Sequence, residues 1–139
     1  MLAVKNLDVF YGDVQALDGV SLEIAEGAIV AIVGANGAGK TTLIRALAGM
    51  QRRLRGRITF RGTDISGWPS HRVCNLGIGQ VAEGRQVFPT LSVEENLDVG
   101  AMLPPAPTVL QRPCVIVTCD ACNAWKTVSP RTPPPIVRI

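Results

Sequence analysis

The 139-residue sequence has little charge, few aromatics and one histidine: 18% Asp, Glu, Lys and Arg, 4% Phe, Trp and Tyr, and His71 alone. So little charge, set against 47% hydrophobic residues, excludes a disordered polyelectrolyte. Long apolar runs are also missing. The longest reaches about eight residues, against the roughly 20 that a membrane-spanning helix needs. No basic-then-apolar leader precedes the first patterned segment, so no secretory signal is expected.

Other scarcities are local. All 14 glycines lie at or before Gly100, whereas eight of the ten prolines lie from Pro104 onward. Residues 1–100 hold ten basic and ten acidic side chains, so the net charge of +3 belongs entirely to residues 101–139, where Asp120 is the single acid. The basic pI of 8.9 therefore predicts no nucleic-acid partner. Two compositions meet near residue 103. The expected organisation is an ordered unit over 1–103 and an unrelated, irregular tail over 104–139, disordered or a frame-shifted translation.

What is present in the first unit is patterned. Leu2, Val4, Leu7, Val9 and Phe10 give an imperfect strand alternation, and Val20, Leu22 and Ile24 a clean one. The run Ala28–Val33 is wholly apolar, which predicts a central strand buried on both faces. Leu43, Ile44 and Leu47 form one face of a helix expected from Gly39 to Ala48, with Gly49 as its stop. A strand is expected over 57–60, a turn over 61–64, a helix from Pro69 to about Leu76, and a strand over 78–82. Ser92-Val93-Glu94-Glu95 reads as a capping box opening a helix to Met102, whose apolar positions are expected in the core. In the tail only Val115-Ile116-Val117 looks like strand. Pro130 and Pro133–Pro135 force an extended end.

The segment Gly34-Ala35-Asn36-Gly37-Ala38-Gly39-Lys40-Thr41-Thr42 fits G-x-x-x-x-G-K-[ST] between an apolar strand and a helix. Glycines let successive N–H groups curl around a phosphate. The helix behind them offers unpaired amides and the positive end of its dipole. Lys40 would reach the β- and γ-phosphates of a nucleotide, and Thr41 would ligate its Mg²⁺. The loop alone does not say which class of nucleotide-binding protein carries it.

The surroundings do. Tyr11-Gly12 lies 23 residues before Gly34, ahead of Val20–Ile24. Gly56–Ile65 follows the loop helix, and Glu83-Gly84-Arg85-Gln86-Val87-Phe88-Pro89 then leads into Leu91–Leu97. Here the chain resembles the ATP-binding subunits of ABC transporters over residues 2–103. The wording from Glu83 to Pro89 is most similar to the ATPases of branched-chain amino acid importers, with urea importers next.

The resemblance implies an α/β P-loop NTPase fold of the ABC type. It would be truncated to the antiparallel subdomain and the start of the parallel core. It further implies that Tyr11 stacks on adenine, that Glu83 stands at the Q-loop position as a γ-phosphate sensor, and that ATP and Mg²⁺ are the cofactors. Partners would be transmembrane permease subunits and a second ATPase subunit. The place would be cytoplasmic, at the inner face of the cell membrane without direct insertion.

Departures from the family set limits. Gln is usual where Glu83 stands. The L-S-G-G-Q signature, an apolar strand ending in Asp-Glu, and the switch histidine are not among the 139 residues. Expected activity is therefore weak nucleotide binding without turnover by this chain alone, the alternative being a non-catalytic truncated product.

Asp120, which ends an apolar run, is not expected to hold Mg²⁺, and His71 is expected on a helix surface. Cys74, Cys114, Cys119 and Cys122 are expected to be free thiols. Arg52, Arg53, Arg55, Arg57 and Arg61 are expected to form a solvated face.

Overall fold

The computed structural model describes residues 1–81, 87–101, 114–117 and 136–138. Strand β1 (Leu2–Tyr11) lies between two antiparallel neighbours, β2 (Val14–Ile24) and β4 (Leu54–Phe60), and β5 (Thr63–Asp64) extends the sheet to the order β2-β1-β4-β5. The strands are joined by tight turns that the sequence dictates. Gly12-Asp13 links Tyr11 to Val14 with φ +61° at Gly12, and Arg61-Gly62 links Phe60 to Thr63 with positive φ at both residues. Such two-residue loops match the right-handed twist of the strands they join.

The imperfect alternation of β1 has a structural cause. Core-facing residues switch from even (Leu2, Val4) to odd (Leu7, Val9) across Lys5-Asn6, where the register shifts against both neighbours. Asn6 sits in the left-handed region at φ 47°, and its backbone N–H donates to Ser21 Oγ at 2.8 Å. This is a bulge: one extra residue turns the following side chains to the other face. Gly56 accommodates it at φ +92°, since a Cβ there would collide with the Asn6 carbonyl and lie 2.6 Å from that of Lys5. Gly19, at φ +58°, makes the same correction in β2, bringing Val20 and Leu22 into phase with Leu17, and its N–H donates to Asp8 Oδ1 at 2.7 Å.

One face of this sheet supplies Leu2, Val4, Leu7, Val9, Leu17, Leu22, Ile58 and Phe60 to the core. Helix α1 (Lys40–Leu47) closes it with Leu43, Ala46 and Leu47, as its 3.6-residue period predicts. Its end is a paired motif. Gly49 N–H donates to Ala46 O at 3.1 Å and Met50 N–H to Arg45 O at 2.9 Å, with Gly49 at φ +72°. That is the Schellman arrangement, for which glycine is the usual residue. Helix α2 (Ser70–Asn75), with Pro69 at its N-cap, adds Val73 to the core and leaves His71 exposed, as expected.

The remaining strands are parallel. β3 (Ala31–Val33) pairs with β8 (Ile136–Arg138), and β6 (Ile78–Val81) pairs with β7 (Cys114–Val117). The short strand expected near Val115 is therefore present, and β8 is a second tail strand that the sequence reading did not foresee. The rest of residues 104–139 lies outside the described residues.

Two expectations about burial need correction. The run Ala28–Val33 is not a strand buried on both faces: only Ala31–Val33 is strand, all three residues are half-buried, and Ile29 is exposed. One described neighbour, β8, does not enclose it as a central strand would be enclosed.

Helix α3 (Val93–Ala101) also departs, because Val93 (78% exposed) and Leu97 (68%) stand in solvent among the described residues. α3 is instead fixed at its start. The Ser92 backbone N–H donates to Glu95 Oε2 at 2.7 Å, and the Glu95 N–H donates to Ser92 Oγ at 3.2 Å. The Asn96 amide also donates to the Phe88, Leu91 and Ser92 carbonyls.

The Ser92 backbone N–H, and after it the Ser92 hydroxyl, holds the Glu95 carboxyl below its ordinary range. A lowered folded-state pKa means the cap contributes fully above the usual carboxylate value of about 4.3 and is lost as pH falls through the lower folded value. The protection of amides 93–96, their exchange relative to the unstructured-peptide rate at each pH, is expected to fall between pH 5 and pH 3. In Glu95→Gln, which keeps the reciprocal bonds, that fall is expected to be absent.

Candidate functional site

The loop Gly34–Gly39 leaves the carboxyl end of β3 and enters α1, the position where open α/β folds bind ligands. Gly37 (φ +85°) and Gly39 (φ +91°) adopt backbone that residues with a Cβ reach only with strain. Gly39 is required twice over. A Cβ on it would strike the Leu17 side chain and sit 3.0 Å from the Ala16 carbonyl, so β2 forms the shelf on which the loop rests. Sequence reasoning passed over Leu17 and Ala16, which carry no loop motif.

Lys40 is the first residue of α1, and its Nζ turns back into the loop. It donates to Gly34 O at 2.9 Å and to Ala35 O at 2.8 Å. The ammonium thus stands inside the curl of backbone, held by carbonyls that a phosphate oxygen can replace as partner. α1 has no side-chain cap at Gly39 and no acidic residue in its first turn. Its first amides and the positive end of its dipole therefore remain available to an anion. Thr41 and Thr42 follow on the first turn, both half-buried.

These residues fit a nucleotide phosphate. Thr41, directly after Lys40 on the first turn of α1, is the residue whose hydroxyl would serve a Mg²⁺ that the phosphates carry. Among the described residues there is no group of three or more His, Cys, Asp or Glu that would hold a metal by itself.

Tyr11 is 42% exposed at the end of β1, paired with Val14 across the hairpin turn. Two residues back, Val9 pairs with Leu17, the residue that supports Gly39. Tyr11 therefore stands about 7 Å along the strand from the shelf of the phosphate loop, two residues at the usual strand rise. Glu83, the last sequence-predicted site residue, lies outside the described residues, as do Asp120, Cys119 and Cys122.

The arginines after α1 are spread over the sheet rather than gathered at the loop. Arg57 Nε lies 3.2 Å from Asp64, and Arg61 lies 3.8 Å from Glu26. Arg55 stacks 5.4 Å over the Phe10 ring, beside a cleft of about 300 Å³ that Phe10, Gly12, Asp13, Arg53, Leu54 and Arg55 line. Asp64 is held below the ordinary carboxylate range mainly by the Ser66 hydroxyl and N–H, and less by Arg57. None of the described helices is long and apolar enough to cross a membrane.

Comparison with known proteins meets this geometry. The high-affinity branched-chain amino acid transport ATP-binding protein BraG of Pseudomonas aeruginosa is 44% identical over 100 residues, covering 72% of this chain and 43% of its own length. The Fe(3+) ions import ATP-binding protein FbpC of Mesorhizobium japonicum is 42% identical over 103 residues, 71% of this chain and 28% of its own. The chain thus spans less than half the length of these relatives.

Among solved structures, the MJ1267 ATP-binding cassette of an ABC transporter superposes with a TM-score of 0.67 at 33% identity, over 75% of this chain and 41% of that one. The MJ0796 cassette bound to ADP and Pi gives 0.63 at 25%, over 71% and 46%. The ABC transporter family matches residues 17–130, well over half of the sequence, from the shelf residue Leu17 through the phosphate loop and beyond residue 103. The chain belongs to the ABC transporter family, and its fold is that of the family's ATP-binding cassette.

Proposed function

We propose that this chain binds Mg-ATP as part of the nucleotide-binding subunit of an ABC importer, with branched-chain amino acids as the cargo class. The observation that carries the ATP reading is Lys40 Nζ, held on the Gly34 and Ala35 carbonyls at the uncapped start of α1. The cargo reading rests on the Glu83–Pro89 wording and on the likeness to BraG. In the assembled transporter the subunit sits at the cytoplasmic face against permease subunits and a second ATPase subunit. Residues 1–103 supply the cassette's share of the site.

In this reading Gly34–Gly39 and the first amides of α1 cradle the phosphates, Lys40 neutralises them, and Thr41 holds the Mg²⁺ they bring. Tyr11 stacks on the base, and Glu83 senses the γ-phosphate. Water attack needs a positioned base and a complete metal shell, so these 139 residues bind without turnover.

The test is a titration of the full chain with Mg-ATP and, separately, with Mg-pyrophosphate. Stacking on an aromatic ring contributes about 1–3 kcal/mol per base. Tyr11→Ala is therefore expected to weaken ATP roughly tenfold and leave pyrophosphate unchanged, with phosphate release from ATP at background throughout. Equal loss for both ligands would remove Tyr11 from the base site, and no ATP binding at all would end the reading.

A further inference from the structure

We infer that the strand Ile136–Arg138 is a detachable strap that orders the phosphate loop and so sets its affinity for nucleotide. The inference rests on the ATP reading for its effect on affinity, but its structural part stands apart from that reading. β3 is three residues long and each of the three is half-buried, so packing alone fixes it weakly. β1, in contrast, is flanked by β2 on one side and β4 on the other. Among the described residues, the strand paired with β3 is β8.

The pairing is parallel, with Ala31 opposite Ile136, Ile32 opposite Val137 and Val33 opposite Arg138. Parallel strands end on the same side, so the backbone at Arg138 lies beside the last residue before Gly34. Gly34 and the following Ala35 are the residues whose carbonyls hold Lys40. Any freedom in β3 is thus passed directly to the groups that place the ammonium.

The strap is also weakly built. Three paired residues must offset the cost of their own ordering, so an equilibrium between docked and undocked states follows. β8 lies beyond residue 130, where the match to the family stops. It is therefore a feature of this chain's own tail. A loop that is competent only while the strap is docked binds nucleotide with an affinity reduced by the undocked fraction.

Amide exchange on the full chain and its variants tests this. Successive N–H groups of a strand point to opposite edges, so of two single variants, Ile136→Pro and Val137→Pro, one removes a donor facing β3 and the other does not. The damaging proline, and equally a chain ending at Pro135, is expected to speed exchange at Ala31–Val33 at least about tenfold, with β1 and β4 unchanged. Mg-ATP binding is expected to weaken about fivefold in the same two variants.

Unchanged exchange at Ala31–Val33 in all three variants would overturn the inference. So would equal loss of protection across β1 and β4, because β8 would then support the whole unit rather than the loop. Failure of the full chain to bind ATP would remove the functional reading, while the exchange data would still decide whether the strap orders β3.

Discussion

Replacing Lys40 by alanine is expected to weaken Mg-ATP binding about a hundredfold, roughly 2.7 kcal/mol, within the range for hydrogen bonds to charged groups. The folded state should barely notice the change. Among the described residues, Lys40 Nζ bonds to the two loop carbonyls, Gly34 O and Ala35 O, at the protein surface, and neither is part of the core. The urea midpoint is therefore expected to stay put while the nucleotide titration collapses. Lys40→Arg is a useful companion. Its planar fork is longer and does not fit a curl shaped around a compact ammonium, so it should restore charge without restoring most of the affinity. A Lys40→Ala chain that binds ATP as the parent does would show that the loop amides alone carry the phosphate.

The second large effect is on stability. Leu43→Ala is expected to cost about 2–5 kcal/mol, the range for removing a leucine from a packed interior. Leu43 has no solvent exposure and belongs to the cluster that joins α1 to Leu2, Leu7 and Ile58 of the sheet. Against a total stability of about 5–15 kcal/mol for an ordinary domain, that is a large share. The urea midpoint should fall without a change in slope, and Ile44→Val on the same helix should cost far less. ATP affinity measured well below the new midpoint should remain near that of the parent, because the Leu43 side chain faces away from the loop into the core. A cost under about 1 kcal/mol would mean that α1 packs loosely on the sheet.

Much of this was legible in the residues. The loop from Gly34 to Thr42 is written in a largely local code, since Gly37 and Gly39 each answer a positive-φ demand of the backbone. Helix α1 was legible through its period, and its end through Gly49. The capping box at Ser92 and Glu95 formed as its four-residue pattern implies.

What escaped the sequence reading was set by distant partners. The continuous apolar run before Gly34 implied burial on both faces, yet burial depends on which strands arrive, and only β8 is paired there among the described residues. β8 itself is three residues after a proline run, too short for any alternation to register. The phase change in β1 was visible as an irregularity, but its cause joins Asn6 to Gly56, fifty residues apart. The outward apolar face of α3 could not be told from a core face, because periodicity says that a stripe exists and not what covers it.

The separation of β3 from β8 has a consequence for synthesis. At about 5–20 residues per second, the ribosome finishes β8 roughly 5–20 s after β3 has been made. During that interval the local hairpin of β1 and β2 can form, joined as it is by two residues, and β4 can add to it soon afterwards. The apolar strand that carries the phosphate loop must wait for Ile136–Arg138. Nascent chains stalled inside the tail should therefore hold a folded antiparallel sheet with an unfinished loop. Such chains would be the ones that chaperones retain, and nucleotide should not rescue them until Ile136–Arg138 have been made.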